Sequence, residues 1–129
     1  MALAVGSRGI GRIDEIVAGV VDAIRQLGAH PIIVPAMGSH GGDDPQAKSR
    51  ILENLGVTEA AIGAAVSNKV ESVPVGYAQA DLPVYCHAEA LSSDAIILIN
   101  RIKPHTDFRG KIESGLIKMS GIGLGFAQK

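Results

Sequence analysis

The sequence predicts an α/β fold: a mainly parallel sheet flanked by helices, in a Rossmann-like three-layer arrangement. Three observations carry the prediction. Short apolar runs recur at residues 3–5, 30–34 and 95–99, helical segments alternate with them, and glycine-rich loops stand where a strand would hand over to a helix. Parallel strands need a crossover long enough to hold a helix, so this alternation favours parallel pairing.

Leu3-Ala4-Val5 reads as a short buried strand that begins almost at Met1. After the loop 6–12, Ile13, Ile16, Val17, Val20, Val21, Ile24 and Leu27 fall at offsets 0, 3, 4, 7, 8, 11 and 14, one face of a 3.6-residue period. Asp14 and Glu15 in the first turn and Arg25 in the last suit the helix dipole, and Gly28 is placed to end the helix. The run His30-Pro31-Ile32-Ile33-Val34 has the pattern of a strand covered on both faces, with Pro31 tolerated at its start.

Beyond the loop 37–43, Asp44-Pro45 reads as an N-cap and first-turn pair opening a helix to about Leu55. Gly56 stops it, and Thr58 caps a shorter helix running to about Gly63. Residues 70–75 and 82–86 read as two strands joined by a turn-rich connection, and 87–91 as a helical turn. Asp94 leads into Ala95-Ile-Ile-Leu-Ile99, a strand expected to be buried. The loop 100–113 and a small-residue helix around 114–119 follow.

The chain has 129 residues, one domain's worth, and a fold of this size buries roughly two-thirds of its unfolded surface. A hydrophobic fraction of 47% with 19% charged residues argues against disorder. Twelve basic and 13 acidic residues give a net charge of −1, without the basic excess that phosphate neutralisation on nucleic acid demands. Aromatic residues are 3% and Trp is missing, so a base-stacking surface is excluded and the core must be aliphatic. Cys86 is alone, which leaves no disulfide framework and no CxxC metal site. No leader and no apolar run of spanning length is visible, and the expected setting is soluble and cytoplasmic, with no membrane partner.

The ligand crevice of a parallel α/β sheet lies at the carboxyl ends of its strands. Three loops fall at that edge: 6–12, 37–44 and 100–113. They carry Arg8, Arg12, His40, Arg101, Lys103, His105, Arg109 and Lys111, with Lys118 just beyond. Seven of the 16 glycines are there too, at 6, 9, 11, 38, 41, 42 and 110. Such loops let backbone N–H groups approach an anion. The first is neither GxGxxG nor a P-loop; Arg8 suits a phosphate or carboxylate, or is one of two exposed turn arginines, as Arg12 reads.

His40 sits between Ser39 and two glycines, and His105 follows Pro104, so each closes a buried strand at the same sheet edge. The pair suits acid/base work on two sides of a substrate, or the binding of a metal; singly, each is a loop histidine bonded to the backbone. Asp43 and Asp44 are placed to assist His40, although helix capping accounts for Asp44. His30 and His87 read as structural. Lys118 has Gly115 three positions before it, which opens its amine to a bulky ligand; otherwise it is a surface lysine. No metal ligand set is assigned.

Gly6-Ser-Arg8-Gly9, Ala36-Met-Gly-Ser-His40-Gly-Gly42, and Asn100-Arg-Ile-Lys-Pro-His105-Thr-Asp-Phe with Glu113-Ser-Gly-Leu-Ile-Lys118-Met, in this order, resemble the N-terminal part of the lactate racemase family. Those enzymes are nickel-pincer-nucleotide-dependent 2-hydroxy-acid racemases with uncharacterised homologues. The resemblance runs over nearly the whole chain. It implies that His40 and His105 are the catalytic acid/base pair, one taking the substrate hydroxyl proton while hydride moves to the pincer carbon. It implies that Arg8 lies near the cofactor phosphate and that Lys118 tethers the cofactor through a thioamide, with Lys111 as the alternative tether. Val5 departs from the family pattern, which has an acidic residue three positions before the arginine.

The implied protein is an isomerase of a small 2-hydroxy acid, and residues 1–129 form a single α/β domain on its cofactor side. The family's nickel-binding histidine and second domain lie further along than Lys129. The expected partner is therefore the C-terminal part of the same enzyme, the chain reads as a fragment, and alone it is expected to be inactive. A non-catalytic phosphate-, nucleotide- or metal-binding α/β module is the alternative.

Overall fold

Val5 and Leu3 point to one side of the first strand and Ala4 and Ala2 to the other, and all four are fully buried. A strand apolar on both faces must be covered on both. The computed structural model describes residues 1–7, 10–42, 44–104, 107, 109–111 and 113–125. Its elements in chain order are β1 (Ala2–Val5), α1 (Ile13–Gln26), β2 (Ile32–Pro35), α2 (Pro45–Asn54), α3 (Glu59–Ile62), β3 (Ala65–Val66), β4 (Ser72–Tyr77), β5 (Pro83–His87), α4 (Ala88–Leu91), β6 (Ile96–Ile99) and α5 (Leu116–Lys118). A short 3₁₀ turn, Gln79–Asp81, joins β4 to β5, and a π-helical turn, Met119–Gly123, continues α5.

The main sheet has the order β3-β2-β1-β6, with every pairing parallel. Ala2 stands opposite Ile32 and Ile96, and Val5 opposite Pro35 and Ile99. The chain moves outward from β1 through β2 to β3, then returns to place β6 on the free side of β1. The order therefore reverses between β1 and β6.

Two apolar layers enclose the sheet. On one face Leu3, Val5, Ile33 and Ile99 meet Ile13, Val17, Val21 and Ile24 of α1, Leu52 of α2 and Ile62 of α3. On the other, Ala2, Ala4 and Val34 meet Ala36, Ala90 of α4, Met119 and Leu124. The small side chains there leave room for the last helical segment to lie close to the sheet. The predicted three-layer α/β fold is what the structure has.

The predicted helix caps are in place. Asp44 accepts a hydrogen bond from Gln46 N at 2.9 Å, and Thr58 Oγ1 accepts from Ala61 N at 3.2 Å. Other details differ. Ile16 and Leu27 share the predicted apolar face of α1 but are 42% and 83% exposed, because the sheet reaches only its central stripe. The run 95–99 forms β6, yet Ile96 is exposed, since β6 pairs on one side only. Strands β4 and β5 pair antiparallel with each other, apart from the main sheet. The two-residue β3 is too short to leave a pattern in sequence. The helix expected at 114–119 starts two residues later and widens into the π turn. Among the described residues no helix is long and apolar enough to cross a membrane.

These burials separate two leucines that composition treats alike. Leu3→Ala should cost about 2–5 kcal/mol of stability, whereas Leu27→Ala should stay within about 0.5 kcal/mol. Urea denaturation of the two variants measures the contrast; equal losses would contradict the assigned packing.

Candidate functional site

The carboxyl ends of β1, β2 and β6 lie side by side, and the order reversal beside β1 opens a crevice there. A cavity of about 240 Å³ occupies it. Its walls are Gly6 and Ser7 after β1, residues 36–40 after β2, Asn100, Arg101 and Lys103 after β6, and the last helical segment, from Ser114 through Lys118 and Met119 to Gly123.

Close backbone approaches hold these walls together. Gly6 N donates to Ile99 O at 3.2 Å, and Ala36 N donates to Val5 O at 2.9 Å, which binds the first and second loops to β6 and β1. A Cβ on Gly6 would stand 2.7 Å from Asn100 Oδ1. That oxygen is held in place, since it accepts from Arg101 N at 2.9 Å while Asn100 Nδ2 donates to Gly115 O at 3.4 Å. Gly38 N donates to Gly123 O at 3.3 Å, and a Cβ on Gly123 would lie 2.7 Å from Ala36 O. The second loop and the π turn thus fit against each other backbone to backbone.

His40 is exposed on the second loop, with its N–H donating to Met37 O at 3.2 Å. Its Nδ1 shares a hydrogen bond of 2.5 Å with Ser7 Oγ, across 33 residues of sequence. Lys118 reaches the cavity from α5, and Arg101 and Lys103 from the β6 loop. Among the described residues, none that lines the cavity carries a carboxylate, while Arg101, Lys103 and Lys118 bring positive charge to it within a chain of net charge −1.

The structure brings His40 and Lys118, both singled out in the sequence, to one cavity. Arg8 and His105 lie outside the described residues, as does Asp43, although their neighbours Ser7 and Lys103 line the cavity. Lys111 is exposed and not part of the lining. Arg12 pairs with Glu15 and Arg109 with Glu113 at 3.6 Å, so both are bound within their own segments. No local pattern signals the Ser7–His40 contact, the bracing by Asn100, or Lys48, a buried α2 lysine against Gly41.

A second polar cluster joins β3, β5 and α4. Ser67 Oγ donates to the Glu89 carboxylate, Lys69 Nζ lies 3.3 Å from it, and His87 Nε2–H donates to Lys69 O at 3.0 Å. Burial alone would raise the Glu89 carboxyl, but the bonds from Ser67 and Lys69 and the attraction of Lys69 and His87 outweigh it, holding Glu89 below its ordinary value. Burial also pushes the Cys86 thiol up, only partly offset by a backbone hydrogen bond at His87. His87 is buried and ties β5 to the segment after β3, in keeping with a structural role. Among the described residues no three His, Cys, Asp or Glu side chains group closely enough to hold a metal.

A parallel α/β domain with a cationic crevice at its topological switch point has the kind of site that suits an anionic small molecule. The family can be given as well: residues 7–110 match the model of the lactate racemase N-terminal domain, and the chain belongs to that family. No curated protein and no solved structure gives a significant match.

Two outcomes follow. Gly123→Ala forces a methyl against Ala36 O and should destabilise the fold by about 1–3 kcal/mol, read as a lower Tm; an unchanged Tm would mean the segment is not seated there. Glu89, with its folded pKa lowered, stabilises fully above the unfolded value of about 4.3 and loses that contribution as pH falls through the lower folded value. Thermal melts from pH 7 to pH 3 should therefore drop more steeply for the wild type than for Glu89→Gln as the pH falls from about 4.3 through the lower folded value.

Proposed function

We propose that this chain is the cofactor-side, N-terminal part of a lactate-racemase-like isomerase that inverts the hydroxyl-bearing carbon of a 2-hydroxy acid. The observation that carries the reading is the cavity where His40 and Lys118 meet Arg101 and Lys103 at the carboxyl ends of three parallel strands.

The residues present fit the anionic part of a nickel-pincer nucleotide. A primary amine, Lys118, stands on the cavity wall beside two further cations, with no carboxylate among the described lining residues. Lys118 is the proposed covalent tether, and Arg8, one residue beyond Ser7, is proposed to hold the phosphate. Nickel ligands from the protein are not proposed within these residues, and the family's nickel histidine would come from chain beyond Lys129. When bound, the cofactor would supply the acceptor and donor of hydride.

The chain's own contribution is proton transfer. His40 takes the hydroxyl proton as the carbon gives up its hydride, which leaves a planar keto acid. His105 is the proposed partner that protonates from the other side. A histidine placed for such work contributes about 10²–10⁴-fold to rate. Binding and orienting the acid also needs the C-terminal part of the enzyme, so residues 1–129 are a single cofactor-side domain that does not turn over alone. The proposed compartment is the cytoplasm, where the lone Cys86 stays reduced.

The parent enzyme, co-expressed with the cofactor-synthesis proteins, should carry added mass on the peptide containing Lys118, retained in Lys111→Ala and lost in Lys118→Ala. His40→Ala should lower kcat by about 10²–10⁴-fold with the added mass kept. An unmodified, fully active enzyme would overturn this reading. Phosphate binding without turnover in the loaded wild type would favour the non-catalytic module instead.

A further inference from the structure

We propose that Ser7 is a positioning residue that selects the tautomer of His40, keeping Nδ1 protonated so that Nε2 exchanges the proton. The inference rests on the reading of His40 as an acid/base group, and its physical basis is the 2.5 Å contact between Ser7 Oγ and His40 Nδ1.

The two partners differ in how firmly they are held. Ser7 is half-buried and follows Gly6, whose N–H is bonded to Ile99 O, so it continues the central strand. His40 is exposed, on a turn closed by the bonds His40 N to Met37 O and Gly42 N to Ser39 O. An imidazole on such a turn is free to rotate unless a side chain from a firmer element holds it. Ser7 is that side chain, because the register of β1 and β2 sets Val5 opposite Pro35 and brings the two loops level.

The choice of tautomer follows from the hydrogen-bond inventory. A neutral imidazole has one N–H and one lone pair, and the bond made by one nitrogen determines what the other can do. For His40 to accept a proton at Nε2, Nδ1 must carry the hydrogen and donate it to Ser7 Oγ. When Nε2 becomes protonated, Nδ1–H keeps the same acceptor. Ser7 thus holds the ring through both halves of the cycle without moving, and its own hydroxyl hydrogen stays free to turn toward solvent. His40 lines the cavity, and Nε2, the nitrogen that Ser7 does not occupy, is the one left for exchange with a ligand there.

Nitrogen-15 NMR of the His40 ring in the 129-residue chain reads this directly. The wild type and Ser7→Thr, which keeps the hydroxyl, should show a protonated Nδ1 and a bare Nε2 in the neutral ring. Ser7→Ala should shift the ring toward the Nε2–H form that an unrestrained histidine prefers, with the amide spectrum otherwise unchanged. His40 nitrogen shifts identical in wild type and Ser7→Ala, or a wild-type ring protonated at Nε2, would overturn the proposal. In the loaded parent enzyme Ser7→Ala should lower kcat by about 10–100-fold with KM unchanged, and Ser7→Thr should restore it. A tautomer change on Ser7→Ala with no racemisation by the wild type leaves the Ser7 hold standing and removes only the proposed reaction.

Discussion

The rest of the molecule depends on the placement of β1. It has a parallel neighbour on either side, β2 and β6, apolar cover on both faces, and four fully buried residues. Its four residues alternate large and small: Leu3 and Val5 meet the helices α1 to α3, while Ala2 and Ala4 meet α4 and the last helical segment. A one-residue slip in register would exchange the two sets. Leucine and valine would then press against a layer fitted to alanines, and alanines would leave voids under α1, so the size alternation fixes the register. The crevice inherits its position from that register, because it forms where β1 ends and the strand order reverses.

The charge in the crevice arises by exclusion. The chain as a whole is almost balanced, and arginines outside the cavity pair nearby, Arg12 with Glu15 and Arg109 with Glu113. Glu89 is likewise occupied by Ser67 and Lys69 at a distance from the crevice. Arg101, Lys103 and Lys118 share a cavity with no carboxylate among its described lining residues. The concave setting concentrates their field on anything that enters. Net charge, which argues against a polyanion partner, says nothing about this local excess.

What could be read from the sequence was local. The period of α1, the caps at Asp44 and Thr58, and the apolar runs of β1 and β2 are each set by residues within a few positions of one another. What escaped depends on which element lies next to which. Ile16 and Leu27 match the helical period but miss the sheet, and Ile96 is exposed because β6 is paired on one side only. The β4–β5 pair left strand signals without saying that it would stand apart. At the site, glycine density and the order of loops located the crevice and led to His40 and Lys118. The Ser7–His40 bond had no sequence signal, because a hydroxyl and an imidazole 33 residues apart are ordinary residues until a sheet aligns them. The roles of Arg8 and His105 rest on resemblance, since both lie outside the described residues.

The sheet order itself favours the proposed two-sided proton transfer. Strand β2 leads into the loop of His40, and β6 into the loop that includes His105, while β1 lies between them. Neighbouring strands are spaced about 4.8 Å apart, so the ends of β2 and β6 are separated by roughly 10 Å. That gap admits a small planar acid above the end of β1, with one loop on each side. Had β6 joined the sheet beyond β3, the gap would have been as wide but would have opened over the two-residue β3, away from Gly6 and Ser7. The reversal of strand order thus sets the loops that follow β2 and β6 on the two sides of the end of β1, as the proposed two-sided transfer requires.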